Sequence, residues 1–335
     1  MSEAERKRRA ALEAAGGAPA VVTDAATVRW LLCGRGRPVD VGAADFQIVI
    51  GSGAAHVLYA DIEHSRVLAD ERLEELGYGL APFPWWDRRE SVHREYDLAP
   101  QRRHLGPEEI QRYRAAGADA AAAFVEAIGV LRPELTELEA AGELARAARN
   151  RDLVARVNLV AGEERQPVHR HPLPTSAPLG RHALLAFTVE RAGLHVSMTR
   201  IVSFGRPPDR LAELVQASAE VDAAVISASR PGRTHGELFE VVAEAYELVG
   251  FPEEWRRHHQ GGLTGYKGRE VFAVPGEPTP LPPVGAVAWN PSVTGGGKSE
   301  DTVLVSGESH EVLTRTPELP ELDPSGLPRP AIVTL

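Results

Sequence analysis

The pattern Arg-Pro-x-x-Thr-x-x-Glu occurs twice, starting at Arg132 and again at Arg230, 98 positions later. In each copy the proline ends the preceding helix, because it has no backbone N–H to continue the ladder. The threonine, with a glutamate three residues on, forms a capping box that satisfies two orphan backbone donors and opens the next helix. Apolar β segments and a long hairpin follow each copy. The first hairpin runs from 185–188 to 201–205 and the second from 287–290 to 303–307, so the two lie 102 positions apart. Helices, motif and hairpins that repeat in one order predict an internal duplication, with two α/β halves facing a shared cleft.

Residues 3–15 read as a helix, 20–23 as a strand, 25–32 as a helix, and 46–50 with 56–59 as strands; 61–76 looks helical, and a further strand runs toward Phe83. This α/β patterning predicts a small separate domain over residues 1–102. The duplicated domain is expected over 103–318, with a tail over 319–335. No motif in the first domain points to chemistry, and Arg35 and Asp40 in its glycine-rich loop read as solvated loop residues. Cys33, the only cysteine, has no partner for an internal disulfide and reads as a small buried hydrophobe.

A net charge of −10 argues against a nucleic-acid partner, which needs a basic face. No apolar stretch is long enough to cross a bilayer, and the charged opening Met-Ser-Glu-Ala-Glu-Arg does not resemble a secretory signal, so a cytoplasmic protein without membrane association is expected.

The second hairpin, 286–306, gathers Asn290, Lys298, Glu300 and Asp301 beside Trp289, which is more chemistry than a solvated turn needs. Its Gly297-Lys298-Ser299 superficially matches a phosphate loop, but the motif's first glycine would fall on Ser292, and a strand follows where a helix is required.

This architecture resembles the creatinase, prolidase and aminopeptidase P superfamily. The resemblance is carried by the stretch from Arg132 to Glu139, Val168-His-Arg-His-Pro172, Ser197-Met-Thr-Arg200 and the stretch from Lys298 to Val305. It implies an α+β protein: a pita-bread fold C-terminal domain with pseudo-twofold duplication behind a small creatinase-type N-terminal α/β domain. In the family's metallopeptidases two metal ions are held by two aspartates, a histidine and two glutamates. Laid over that pattern, the aspartates fall on Ala186 and Ser197. The histidine falls within Gln260-Gly-Gly262, with His259 the nearest imidazole, and the first glutamate falls on Asn290; Glu300 keeps the last ligand's place. The resemblance thus implies no metal centre of the family type and no cofactor.

His169 matches the family histidine that moves protons over the substrate. Creatinase works on this fold without metal, which sets the leading expectation: a metal-independent hydrolase or lyase that acts on a small, polar, anionic molecule through histidine acid-base chemistry, with C–N cleavage the first guess. His169 and His259 would carry protons, and Glu300 would orient a histidine or hold a substrate cation. His171, Arg200, His258, Tyr266, Arg269, Trp289, Asn290 and Lys298 would bind substrate. The alternatives are a non-catalytic ligand-binding or regulatory pseudo-peptidase, an Xaa-Pro aminopeptidase or prolidase-type metallopeptidase, and a single metal at His258, His259 and Glu300. The family also implies a homodimer.

Overall fold

The computed structural model describes residues 1–39, 45–87 and 96–335, so Asp40 lies outside the described residues. The chain divides into two units, Met1–Ile110 with Ala192–Leu194, and Gln111–Arg191 with His195–Leu335.

The first unit contains helices α1 (Glu3–Ala14) and α2 (Ala25–Leu31) and a sheet of β1 (Ala20–Val22), β2 (Phe46–Ile50), β3 (Ala55–Ala60) and β4 (Gly79–Phe83). The first three strands pair antiparallel and β4 joins β3 in parallel. Alternate residues of β2 are buried, as a half-covered sheet requires. The expected helix over 61–76 is instead a chain of single turns around α3 (His64–Arg66), broken at Arg72, whose φ is 49°. The reason lies in Glu71. Its buried carboxylate accepts the backbone N–H groups of Gly36 and Arg37, and that position does not continue a regular helix. Arg35 donates to the Arg72 carbonyl at 2.7 Å and reaches Glu75, so it is engaged rather than merely solvated. Cys33 is half-buried with φ 54°, less enclosed than expected. After α4 (Ala99–Arg103) the chain enters α5 (Pro107–Ile128).

In the second unit the duplication is visible in backbone bonding. α5 and α6 (Glu137–Arg149) precede β5 (Val154–Gly162), β6 (His182–Arg191) and β7 (Leu194–Ser203). The second copy has α7 (Asp209–Ala228) and α8 (His235–Leu248), then β8 (Gly261–Thr264), β9 (Val271–Phe272), β10 (Val284–Trp289), the small pair β11 (Ser292–Val293) and β12 (Gly297–Lys298), β13 (Asp301–Ser306) and β14 (Ser309–Val312). Thr136 and Thr234 each cap a helix in a complete capping box, with Glu139 and Glu237 returning to the cap's own N–H. Each threonine also forms an isolated antiparallel bridge to a proline, Thr136 to Pro178 and Thr234 to Pro280. Those prolines are 102 positions apart, the same offset as the hairpins.

Two larger sheets result, in the order β17 (Val333–Thr334)-β7-β6-β5 and β14-β13-β10-β8-β9. Residues 319–335 are woven in: β15 (Glu321–Leu322) pairs with β16 (Arg329–Pro330), and β17 (Val333–Thr334) runs parallel to β7. The core of the second copy packs Val221, Val225, Leu238, Val242, Val287 and Trp289 between helices and sheet. Trp289 is fully buried, with its indole N–H on Ser229 Oγ at 3.0 Å.

A buried ion network joins the copies. Arg329 donates to Asp301 and lies 3.1 Å from Asp222 on α7, while Asp301 also accepts from Arg200 on β7 at 3.0 Å. Burial pushes Asp222 up to about 6, against the pull of Arg329 and the Ser299 hydroxyl. A folded-state value above the unfolded one near 4 means the folded chain holds the proton more tightly in that window. The contribution of this group to stability is therefore highest at low pH and falls as pH rises through about 6. Asp222→Asn is expected to flatten the dependence of melting temperature on pH between about 4 and 6, relative to the parent. Arg329→Met, which leaves the buried carboxylate of Asp222 without its cation, is expected to cost about 3–5 kcal/mol in urea unfolding, whereas Thr136→Ala or Thr234→Ala should each cost about 1 kcal/mol.

Candidate functional site

A cavity of about 420 Å³ opens inside the second unit, lined by side chains from β5, β6, β7, the segments between β5 and β6 and just before β8, the segment before and within β9, and the β10–β13 hairpin. His171, His259, Arg269, Asn290, Lys298 and Glu300 all line it. Leu159, Phe187 and Phe272 supply apolar wall.

Glu300 is its electrostatic centre. The carboxylate accepts from Thr199 Oγ1 at 2.7 Å and from Arg269 at 3.1 Å, with Lys298 Nζ 3.9 Å away. Burial raises its affinity for a proton, but Lys298, Arg269 and the hydrogen bonds outweigh that and hold it below the ordinary carboxylate range. Burial also lowers Lys298, with Glu300 opposing. Asn290 is buried and its carbonyl oxygen Oδ1 has no hydrogen-bond partner, which costs free energy unless a ligand supplies a donor.

Three histidines gather at one side. His258 Nε2 lies 3.0 Å from His171 Nε2, and the His258 and His259 rings stack with centroids 4.4 Å apart. Burial, reinforced by Lys298, drives His258 far below the ordinary imidazole range. Burial, with Arg269 and Lys298, brings His259 down to about 4, and burial also lowers His171. All three rings are neutral at pH 7, with a lone pair on one nitrogen each.

Other expected site residues lie elsewhere. His169 is exposed and lines a neighbouring cavity with Gln166, Arg170 and Thr294, not the one holding Glu300. Arg170, between the two histidines, is drawn to Glu254, Ser292 and Thr294, and it is His171 that reaches the cavity. Arg200 is buried against Asp301, Thr316 Oγ1 and the Thr314 carbonyl, so its donors are consumed by the fold. Trp289 belongs to the core, and Tyr266 is buried without lining the cavity. His258 is buried behind His171 and His259 rather than on the cavity wall. Reasoning from the sequence did not identify Lys267, Thr188, His195 or Phe272, which do line it.

The ligand set of a family-type dinuclear centre does not fit these residues. Ala186 offers no donor, and Ser197 Oγ is spent on Thr188 Oγ1 at 2.9 Å. Gly261 has φ 96°, and a Cβ there would meet the Ala288 carbonyl oxygen at 2.1 Å, so β8 and β10 approach too closely for a histidine. At Gly262 a Cβ would stand 2.2 Å from the Val271 oxygen. Glu300 alone supplies a carboxylate, and a pair of hard dications needs several.

A family model described as Metallopeptidase family M24 matches residues 111–307. A Xaa-Pro dipeptidase of Lactobacillus helveticus is 26% identical over 151 residues, 44% of this chain and 41% of that protein, so the match spans less than half of the curated relative. Among solved structures, dipeptidase PepE of Mycobacterium ulcerans superposes with a TM-score of 0.75 at 18% identity, covering 99% of this chain and 97% of that one. The prolidase of Pyrococcus horikoshii OT3 gives 0.76 at 16% identity, with 94% and 99% covered. These findings overturn the expectation of a metal-independent, creatinase-like enzyme, since the relatives are Xaa-Pro dipeptidases and prolidases within a metallopeptidase family. The fold is the α+β pita-bread fold of those neighbours. With more than half of its 335 residues matched, the chain belongs to the metallopeptidase family M24.

Proposed function

We propose that this chain is a hydrolase acting on a small peptide-like substrate with a free carboxylate, in the class of Xaa-Pro dipeptides. The observation that carries this reading is the charge of the cavity: Arg269 and Lys298 line it against the single carboxylate of Glu300. Arg156, also on the wall, is matched by Glu190 at 2.5 Å. Such an imbalance in a partly enclosed site favours an anion, and a guanidinium suits a carboxylate best because its donors form a fork.

The surroundings match the rest of such a substrate. Leu159, Phe187 and Phe272 give an apolar wall for a prolyl ring, and Asn290 Oδ1 lacks the donor that a substrate N–H or ammonium group would bring. Glu300 fixes Arg269 through its 3.1 Å ion pair, so the guanidinium is oriented before the ligand arrives. The cavity volume lies within the range of small-molecule sites.

The test is a hydrolysis screen of Xaa-Pro dipeptides beside the same dipeptides as C-terminal carboxamides. Cleavage of the free acids is expected, with kcat/KM for the carboxamides lower by at least about tenfold, the worth of one charge-assisted hydrogen bond. Arg269→Gln should raise KM for the free acid by about tenfold or more while changing KM for the carboxamide little. Binding without turnover would overturn the hydrolase assignment, and equal rates on acid and amide would overturn the role of the cations.

A further inference from the structure

We propose that His171, His258 and His259 form a mononuclear site for a zinc-class divalent metal, with one coordination position open toward the cavity. This site is separate from the family's carboxylate-bridged centre. It rests on the histidine geometry alone and stands whether or not Xaa-Pro peptides are cleaved.

One nitrogen from each ring can be chosen so that all three lie within 4.8 Å of one another. Zinc binds imidazole nitrogen at about 2.0–2.1 Å, so two nitrogens on one tetrahedral ion are roughly 3.3 Å apart and can never exceed about 4.2 Å. The 3.0 Å between His171 Nε2 and His258 Nε2 is already near the tetrahedral value. A pair at the full 4.8 Å would have to close by about 1.5 Å to reach the tetrahedral spacing, through side-chain rotation to which exposed His171 can contribute. His258 is only 9% exposed, so one donor is held firmly while the rim residue adjusts. His259 Nδ1 is buried without a hydrogen-bond partner, so no other part of the fold uses it.

The donor chemistry selects the ion. Three imidazole nitrogens suit zinc, cobalt, nickel or copper, whereas magnesium and calcium require oxygen ligands. Three protein ligands leave the fourth tetrahedral position for water or a ligand atom. His171 and His259 both line the cavity, so that position faces the space shared with Asn290 and Glu300. Lys298 and Arg269 nearby oppose a bare dication, while Glu300 offsets them in part. They also favour an anion, such as hydroxide or a substrate carboxylate, as the fourth ligand.

The experiment uses untagged full-length protein, stripped with chelator and dialysed against zinc or cobalt. One metal equivalent per chain is expected by elemental analysis, and the cobalt form should show the intense visible absorption of a four-coordinate site. His171→Ala, at the rim, should weaken zinc binding at least tenfold without changing the melting temperature of the metal-free protein, and His258→Gln should do the same to the cobalt spectrum. His169→Ala, which alters an exposed histidine outside the cluster, should leave stoichiometry and spectrum unchanged. No binding, two equivalents per chain, or one equivalent that survives both His171→Ala and His258→Gln would overturn the proposal.

Discussion

The carboxylate of Asp301 ties the second unit together. From the first residue of β13 it accepts from Arg200 on β7 and Arg329 on β16, and Thr314 Oγ1 adds a bond at 2.6 Å. Arg329 in turn reaches Asp222 on α7. Charges so deeply buried are tolerable only when each is paired and hydrogen-bonded, so the network fixes the relative placement of four elements from both copies of the repeat. Glu300 is the preceding residue. Side chains alternate across an extended chain, so pinning Asp301 to the interior sends Glu300 to the opposite side, into the cavity. The site therefore inherits its geometry from a structural ion network.

Most of the architecture could be read from local physical signals. The two capping boxes, the helix-stopping prolines and the paired hairpins each have a mechanism that does not depend on distant contacts, and their repetition in one order revealed the duplication. The broken helix at 61–76 was hidden because its breaker, Glu71, is recruited by the Gly36 and Arg37 amides, which lie far away in sequence. The site was only partly legible. Glu300, Asn290, Lys298 and Arg269 came from a hairpin and a loop whose directions the pattern defines. His169 and His171 differ by two positions in a loop, and the choice between them is made by Arg170, which is anchored by Glu254 on a different segment. Arg200 and Trp289 face the interior for the same non-local reason, since their partners Asp301 and Ser229 lie 101 and 60 positions away, respectively.

Kinship and chemistry pull in different directions here. The family match brings peptide hydrolysis into view, yet the positions that would hold its bridging carboxylates carry an alanine, a serine bonded to a threonine, and an asparagine. The backbone has closed around the glycines at 261 and 262, so the change is built into the packing and could not be reversed by restoring a single side chain. In place of a metal pair, Glu300 is held by Arg269, Lys298 and Thr199. On the proposed reading, that fixed cation is what would draw an anionic substrate into the cavity.

The claim on which this description turns is that Glu300 is committed to protein cations. Anomalous diffraction at the zinc edge, from crystals grown with zinc, tests it most directly. The expected map has no peak within coordinating distance, about 2.0–2.2 Å, of the Glu300 carboxylate, and Arg269 keeps its ion pair. A pair of peaks between Glu300, Asn290 and Ser197, with Arg269 displaced, would contradict it.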